Sequence, residues 1–466
     1  MSSVVESHSA ELKKELGLRD LVLQQIVYVV GVIWVGTAAK LGHQHFAFWI
    51  AAIVFFYLPQ AAVVIDLTKR MPLEGGLYQW ARLGISELMG FMVAWNLWIY
   101  AVVLIATIGL VVGTNLSYVV GRGGEWLASN KIFLMALNIF LIGGLMAMAV
   151  RGLALSKWLH NLGSISLMSA FAVMIALPFV HMARGTLPDY HPFAVAMPAF
   201  TLLSLNIFGK MAMGALSGFE YVAIMAGETR SASRTITRSV LVAAPLIVLM
   251  FILGTDSVIA LVPKDRIDLV SPIPQALSVG FEGSGVVRMI VPALILLLLL
   301  RQLGVVTMVF NGNTRLPLVA GWDNLLPAWF TRLHPSFRTP VNSILFVSAI
   351  TIAFSLAGQA GVGVQEAFQL LENAAGILYA FTYLGLFAIP LFGAAKLQRR
   401  PPLWLRIASA SGFGMALLYS ILSVFPIIEV ASWRIFALKI ITVILAANLM
   451  GVAIYWGGRR SSASSG

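Results

Sequence analysis

The sequence predicts an all-α integral membrane protein of about 12 transmembrane helices, and three observations carry that prediction. Hydrophobic residues make up 59% of the chain and charged residues only 11%, against about a quarter charged in a soluble domain. The mean hydropathy is +0.90. Apolar runs long enough to cross the roughly 30 Å hydrocarbon layer recur along all 466 residues, and no polar block is large enough for a separate soluble domain.

Residues 1–19 are polar and mixed in charge, which fits a cytoplasmic N-terminal segment rather than a cleaved signal peptide. Apolar segments one to twelve then fall at 20–43, 46–68, 89–120, 132–151, 156–183, 199–227, 238–262, 287–320, 341–358, 366–394, 407–427 and 435–457, before a short tail at 458–466. With the N-terminus inside, about 20 Lys and Arg residues fall on the inner side and 9 on the outer. That asymmetry places both termini in the cytoplasm of a cell membrane. The net charge of +12 is then an orientation signal, because the basic residues are scattered over short loops and form no nucleic-acid surface. The chain has no cysteine, which excludes disulfides and thiolate chemistry.

Two segments carry paired glycines at matching places. Segment one reads Gly31-Val32-Ile33-Trp34-Val35-Gly36-Thr37, and segment six reads Gly214-Ala215-Leu216-Ser217-Gly218-Phe219-Glu220. Glycine costs a helix about 1 kcal/mol relative to alanine, so such pairs invite unwinding that only a protein-lined cavity tolerates. Half-helix ends at such a break offer amides to an anion and carbonyls to a cation. The same glycines would also serve plain close packing between helices.

The loop Met71-Pro72-Leu73-Glu74-Gly75-Gly76-Leu77-Tyr78, with Trp95 and Trp98 beyond it, resembles the Pro-x-x-Gly-Gly-x-Tyr signature of the amino acid–polyamine–organocation superfamily. Gly218-Phe219-Glu220, Ala226-Gly227-Glu228-Thr229-Arg230, Asn313-Thr314-Arg315, Asp323, Leu326-Pro327, His334 and Thr339-Pro340 extend the resemblance in order through at least ten segments. It implies a LeuT-type fold: a five-helix repeat at 20–183, its inverted copy at 199–394, broken helices one and six, and two further helices at 407–457. It also implies a permease that moves L-amino acids by alternating access or exchange. A polyamine or organic amine carrier of the same fold and a non-transporting sensor are the alternatives.

By this resemblance the backbone of Val32, Ile33, Gly36 and Thr37 meets a substrate carboxylate, and that of Ala215, Leu216 and Gly218 meets its ammonium. Trp34, Asn96, Gln302 and Asn373 are candidate pocket walls. The chain departs from its relatives at Val35-Gly36-Thr37, where Gly-Ser-Gly is usual, and at Gly214 and Val306, where some relatives carry aromatics. Trp34 could fill the lost volume or simply pack.

Ionisable residues inside a bilayer cost about 2.5–3.5 kcal/mol each on insertion scales, so each needs a reason. Glu220 either bonds freed backbone or serves as ammonium contact and proton carrier; Glu372 either lines the pathway or makes a salt bridge. Lys210 is expected to snorkel to the outer interface. Arg301 lies mid-bilayer on the face where sodium-coupled relatives hold an ion, and the lysine that some relatives place in segment five is replaced by Leu167. The resemblance therefore points to the Arg301 guanidinium bonding segment-one carbonyls near Val30 and Gly31, with Ser164 or Ser166 nearby, and to sodium-independent transport. A salt bridge from Arg301 to Glu372 is the structural alternative. Arginine keeps its proton, so any proton coupling falls to Glu220 or Glu372. The histidines lack ligand spacing and no Walker loop is present, so neither a metal site, a cofactor nor an enzyme is expected.

Overall fold

The computed structural model describes every residue except 1–13, 15, 74, 122, 188, 189, 192, 225, 283, 284, 286, 323–325, 338, 359–363, 394–399, 429, 431, 465 and 466. Glu74 and Asp323 of the motifs above therefore lie outside the described residues. All twelve expected segments are helical, from Leu18–Val29 at the start to Trp433–Ser464 at the end. Ten helices among the described residues are long and apolar enough to cross a membrane, and counting the bent pair Leu18–Val29 and Val32–Ala39 as one span makes eleven. Segment nine falls short because its apolar stretch, Val341–Leu356, is under that length.

Local chemistry sets where the helices begin. Ser86 opens Glu87–Ala106 by accepting from the Met89 amide at 3.1 Å. Asn130 opens Lys131–Arg151 by accepting from the Phe133 amide at 3.1 Å. Each cap satisfies an amide that has no partner inside the helix.

Small residues set how closely the helices approach. A Cβ at Gly163 in segment five would lie 3.2 Å from the Arg301 Cα in segment eight, and one at Gly304 would lie 3.1 Å from the Leu159 carbonyl oxygen. Helices Leu153–Ala183 and Val287–Trp322 thus meet backbone to backbone, the membrane solution when hydrophobicity alone cannot drive helices together. This contact carries Arg301 to segment one. On another side, His45 and Asp256 form a buried pair at 3.0 Å, and the second Asp256 oxygen accepts from the Phe193 amide at 3.1 Å, pinning the loop after segment five.

The Gly75-Gly76 loop is fixed by the same kind of proximity. Gly76 has φ +42°, and a Cβ there would sit 2.8 Å from the Ala223 carbonyl carbon in segment six, while the Gly75 amide donates to the Ile224 carbonyl at 3.1 Å. Gly42 is the natural control, with φ +58° and nothing within 4 Å of an added Cβ. Alanine at Gly42 should cost only the conformational strain, about 1–2 kcal/mol, whereas Gly76→Ala should lower the melting temperature in detergent distinctly more. Equal losses in the two variants would show that the contact with segment six is unimportant.

Candidate functional site

Segment one is interrupted at Val30-Gly31. Helix Leu18–Val29 ends there, Val32–Ala39 begins, and the two are bent by 43°. The Gly31 amide turns back to the Val29 carbonyl at 2.8 Å, so the Val27 carbonyl loses the donor that an unbroken helix would supply. One Arg301 guanidinium nitrogen replaces it, donating to Val27 O at 2.9 Å and to Val30 O at 2.8 Å. A second Arg301 nitrogen donates to Gln302 Oε1 at 2.9 Å. These are the lengths of charge-assisted bonds, and a cation at a helix C-terminus also opposes the helix dipole favourably. No ion pair joins Arg301 to Glu372 among the described residues. Ser164 and Ser166 are buried in segment five, and among the described residues neither has a hydrogen bond to Arg301.

On the far side of the break the next helix starts without a side-chain cap. The Trp34 amide bonds Gly31 O at 3.2 Å, while among the described residues no hydrogen bond engages the amides of Val32 and Ile33. Both residues line a cavity of ≈ 120 Å³.

Segment six runs as helix Leu202–Gly209, a wider π-helical turn Lys210–Ala215, the non-helical Ser217 and Gly218, and helix Phe219–Ile224. Gly218 has φ +132°, and a Cβ there would meet the Tyr28 ring at 2.6 Å. Its amide donates to the Tyr383 hydroxyl at 2.8 Å. The Leu216 carbonyl accepts from Gln60 Nε2 at 3.0 Å. Just beyond, the buried Glu220 carboxylate accepts hydrogen bonds from both Tyr379 and Tyr383. The Tyr28 hydroxyl lies 3.4 Å from those of Tyr100 and Tyr379, so a chain of tyrosine hydroxyls links the cavity wall to Glu220.

Segments one, three, six, eight, ten and eleven all contribute to the cavity. Val32, Ile33, Trp34, Arg301, Gln302 and Glu372 line it, together with Tyr28, Tyr100, Ser217, Gly214, Tyr379 and Tyr419. Trp34 lies across the two glycines: a Cβ at Gly31 would meet its indole at 2.5 Å, and so would one at Gly214. The indole thus occupies the space that an aromatic side chain at the Gly214 position would need.

Several expected contacts lie elsewhere, each because a neighbour claims the group. Gly36 abuts Pro272, 2.5 Å from where its Cβ would be, and the Thr37 hydroxyl donates to Ile33 O. Asn96 faces segment twelve, donating to Met92 O and Asn448 Oδ1. Ala215, Leu216 and Gly218 are off the cavity wall. Asn373 is fully buried and accepts from Lys210 Nζ at 2.5 Å. The expectation that Lys210 snorkels outward is overturned: it is only 1% exposed, because Asn373 supplies an acceptor inside. The tyrosines of segment ten are site residues beyond those expected, and their signal in the sequence is the helical spacing of Glu372, Gly376, Tyr379 and Tyr383, which marks one face.

Comparison with known proteins agrees with this geometry. The profile of the amino acid permease family matches residues 21–446, so the chain belongs to that family. An uncharacterized transporter of Legionella pneumophila is 26% identical over 392 residues, covering 84% of this chain and 82% of the relative. The methylthioribose transporter of Bacillus subtilis is 24% identical over 412 residues, 83% of each chain. A probable agmatine/putrescine antiporter of Lactococcus lactis is 20% identical over 258 residues, 54% of each. The crystal structure of MhsT in complex with L-phenylalanine superposes with a TM-score of 0.64 at 14% identity, covering 88% of this chain and 98% of MhsT, which establishes a LeuT-type fold. The protein is therefore a multi-pass membrane transporter of a small molecule.

The break in segment six yields a direct test. Gly218→Val should abolish transport while leaving a folded, membrane-inserted protein, because valine opposes the φ of +132° and collides with Tyr28. Substrate counterflow beside a gel-filtration profile checks this, and parental counterflow would place the working hinge elsewhere.

Proposed function

We propose that this permease is a secondary active transporter or exchanger of L-amino acids that alternates access around the central cavity without sodium. The observation that carries the reading is the pair of amides at Val32 and Ile33, which open a helix, belong to residues lining the cavity and have no hydrogen bond among the described residues. A helix N-terminus with free amides favours a carboxylate. The ammonium would be met across the cavity at the Gly214 and Ser217 end of segment six, since the Leu216 carbonyl accepts from Gln60 and the Gly218 carbonyl from the Tyr221 amide.

Charge supports a zwitterion over a polyamine. Glu372 and Arg301 line the cavity with Lys210 and Glu220 behind it, two acids and two bases that sum to zero when ionised. The relatives named above differ in cargo, so their names do not choose for this chain. In this reading residues 20–183 and 199–394 are the inverted repeats, both termini are cytoplasmic in the cell membrane, and proton coupling falls to Glu220 or Glu372. Independence of sodium rests on Arg301, whose two bonds to segment-one carbonyls provide what a bound cation would otherwise supply.

Uptake of radiolabelled amino acids into proteoliposomes in sodium-free buffer tests the proposal. We expect saturable uptake competed by neutral amino acids and not by putrescine; no uptake or exchange across an amino acid and amine panel overturns it. In the same assay Arg301→Leu should lose transport and Arg301→Lys should regain part of it. A strict sodium requirement in the parent, or full activity in Arg301→Leu, would remove the tethered cation from the mechanism.

A further inference from the structure

We infer that Lys210 sets the charge of the cargo: from behind the cavity wall it neutralises Glu372, the carboxylate on that wall, and so admits neutral substrates while rejecting cationic ones. This inference rests on the amino acid reading above.

Glu372 projects from segment ten into the cavity, and no hydrogen bond to its carboxylate is found among the described residues. An ionised acid facing a low-dielectric cavity is a strong attractor for any second ammonium group on a substrate. Lys210 is the cation that counters it. The lysine sits on the π-helical turn of segment six, is nearly fully buried, and takes no part in the cavity lining. Its Nζ is held by Asn373 Oδ1, the residue next to Glu372, and lies 6.0 Å from the centre of the Tyr419 ring. No ion pair joins Lys210 to Glu372 among the described residues, so the lysine reaches the acid only as its neighbour through Asn373.

Tyr419 lines the cavity where the ammonium beside it does not. It reaches its place because segments six and ten carry glycines where it passes: a Cβ at Gly209 would lie 3.3 Å from the Tyr419 Cα, and one at Gly376 would lie on its hydroxyl. Glu372, Gly376 and Tyr419 line the cavity, and Lys210 does not. Its charge therefore acts on the cavity through space, with no contact to cargo. Arg301, the other base, is committed to segment-one carbonyls and to Gln302, which leaves Lys210 as the counter-charge for Glu372.

The test compares the parent, Lys210→Met, Glu372→Gln and the double variant in proteoliposomes with labelled leucine and lysine. Methionine keeps the length and apolar stem of the side chain. We expect the parent to prefer leucine and Lys210→Met to shift the lysine-to-leucine ratio of kcat/KM upward by about tenfold or more, the scale of one poorly screened charge. The double variant, neutral again, should return the ratio to the parental side, which a merely structural role for Lys210 would not do. A parental preference for lysine, or an unshifted ratio in Lys210→Met, overturns the inference.

If the parent carries neither substrate, the amino acid reading fails, and thermal stabilisation of the purified proteins by putrescine decides on Lys210 separately. Stabilisation of Lys210→Met, but of neither the parent nor the double variant, upholds the charge role. Equal responses in all three refute it.

Discussion

An interrupted helix inside a membrane leaves carbonyls and amides with no water to satisfy them, and the rest of this structure depends on how those groups are answered. In segment one the carbonyls of Val27 and Val30 are answered permanently, by a guanidinium from segment eight. The amides of Val32 and Ile33, with no hydrogen bond among the described residues, open the second half-helix beside the cavity. One break thus has two unlike sides. The arginine on the first stabilises a backbone that hydrocarbon would otherwise penalise by several kcal/mol per unsatisfied group. The second side is the one on which the proposed carboxylate contact rests.

The second interruption is answered differently. In segment six the Gly218 amide and the Leu216 carbonyl are taken by Tyr383 and Gln60, side chains from segments ten and two. Tyr383 also donates to Glu220, so the same hydroxyl both holds the break and joins it to the tyrosine chain along segment ten. The Gly75-Gly76 loop presses its backbone against Ala223 and Ile224 just beyond. Segment six is therefore gripped from several directions on either side of its break.

Most of the helical plan was legible in the sequence, because apolar runs and their Gly and Pro interruptions report the bilayer directly. All twelve segments are helical near their expected limits; the expected count is reduced only where the apolar stretch of segment nine is short. At the site, backbone features were legible: paired glycines located both interruptions, and an arginine with no interface in reach pointed to carbonyls that needed a donor. Side-chain direction was not. Asn96 and Asn373 lie on the expected segments but turn toward Asn448 and Lys210, a choice made by neighbours far away in sequence. Lys210 departs from the snorkelling expectation because Asn373, closer than any interface, accepts a hydrogen bond from its ammonium. Tyr379 and Tyr383 are legible in the sequence only through their helical spacing with Glu372 and Gly376, since tyrosine in a membrane protein is more usual near the headgroups.

The glycine contacts between segments five and eight have a consequence for how motion in this transporter could be measured. With Gly163 and Gly304 bringing the two backbones to within 3.2 Å of where a Cβ would stand, neither helix can slide without a steric collision, and the pair should translate and rotate as one block. A pair of spin labels or fluorophores bridging segments five and eight would then keep a constant separation through the cycle, an internal ruler against which the displacement of every other helix can be read. The natural absence of cysteine means that such labels can be introduced at chosen positions with no background thiols to remove.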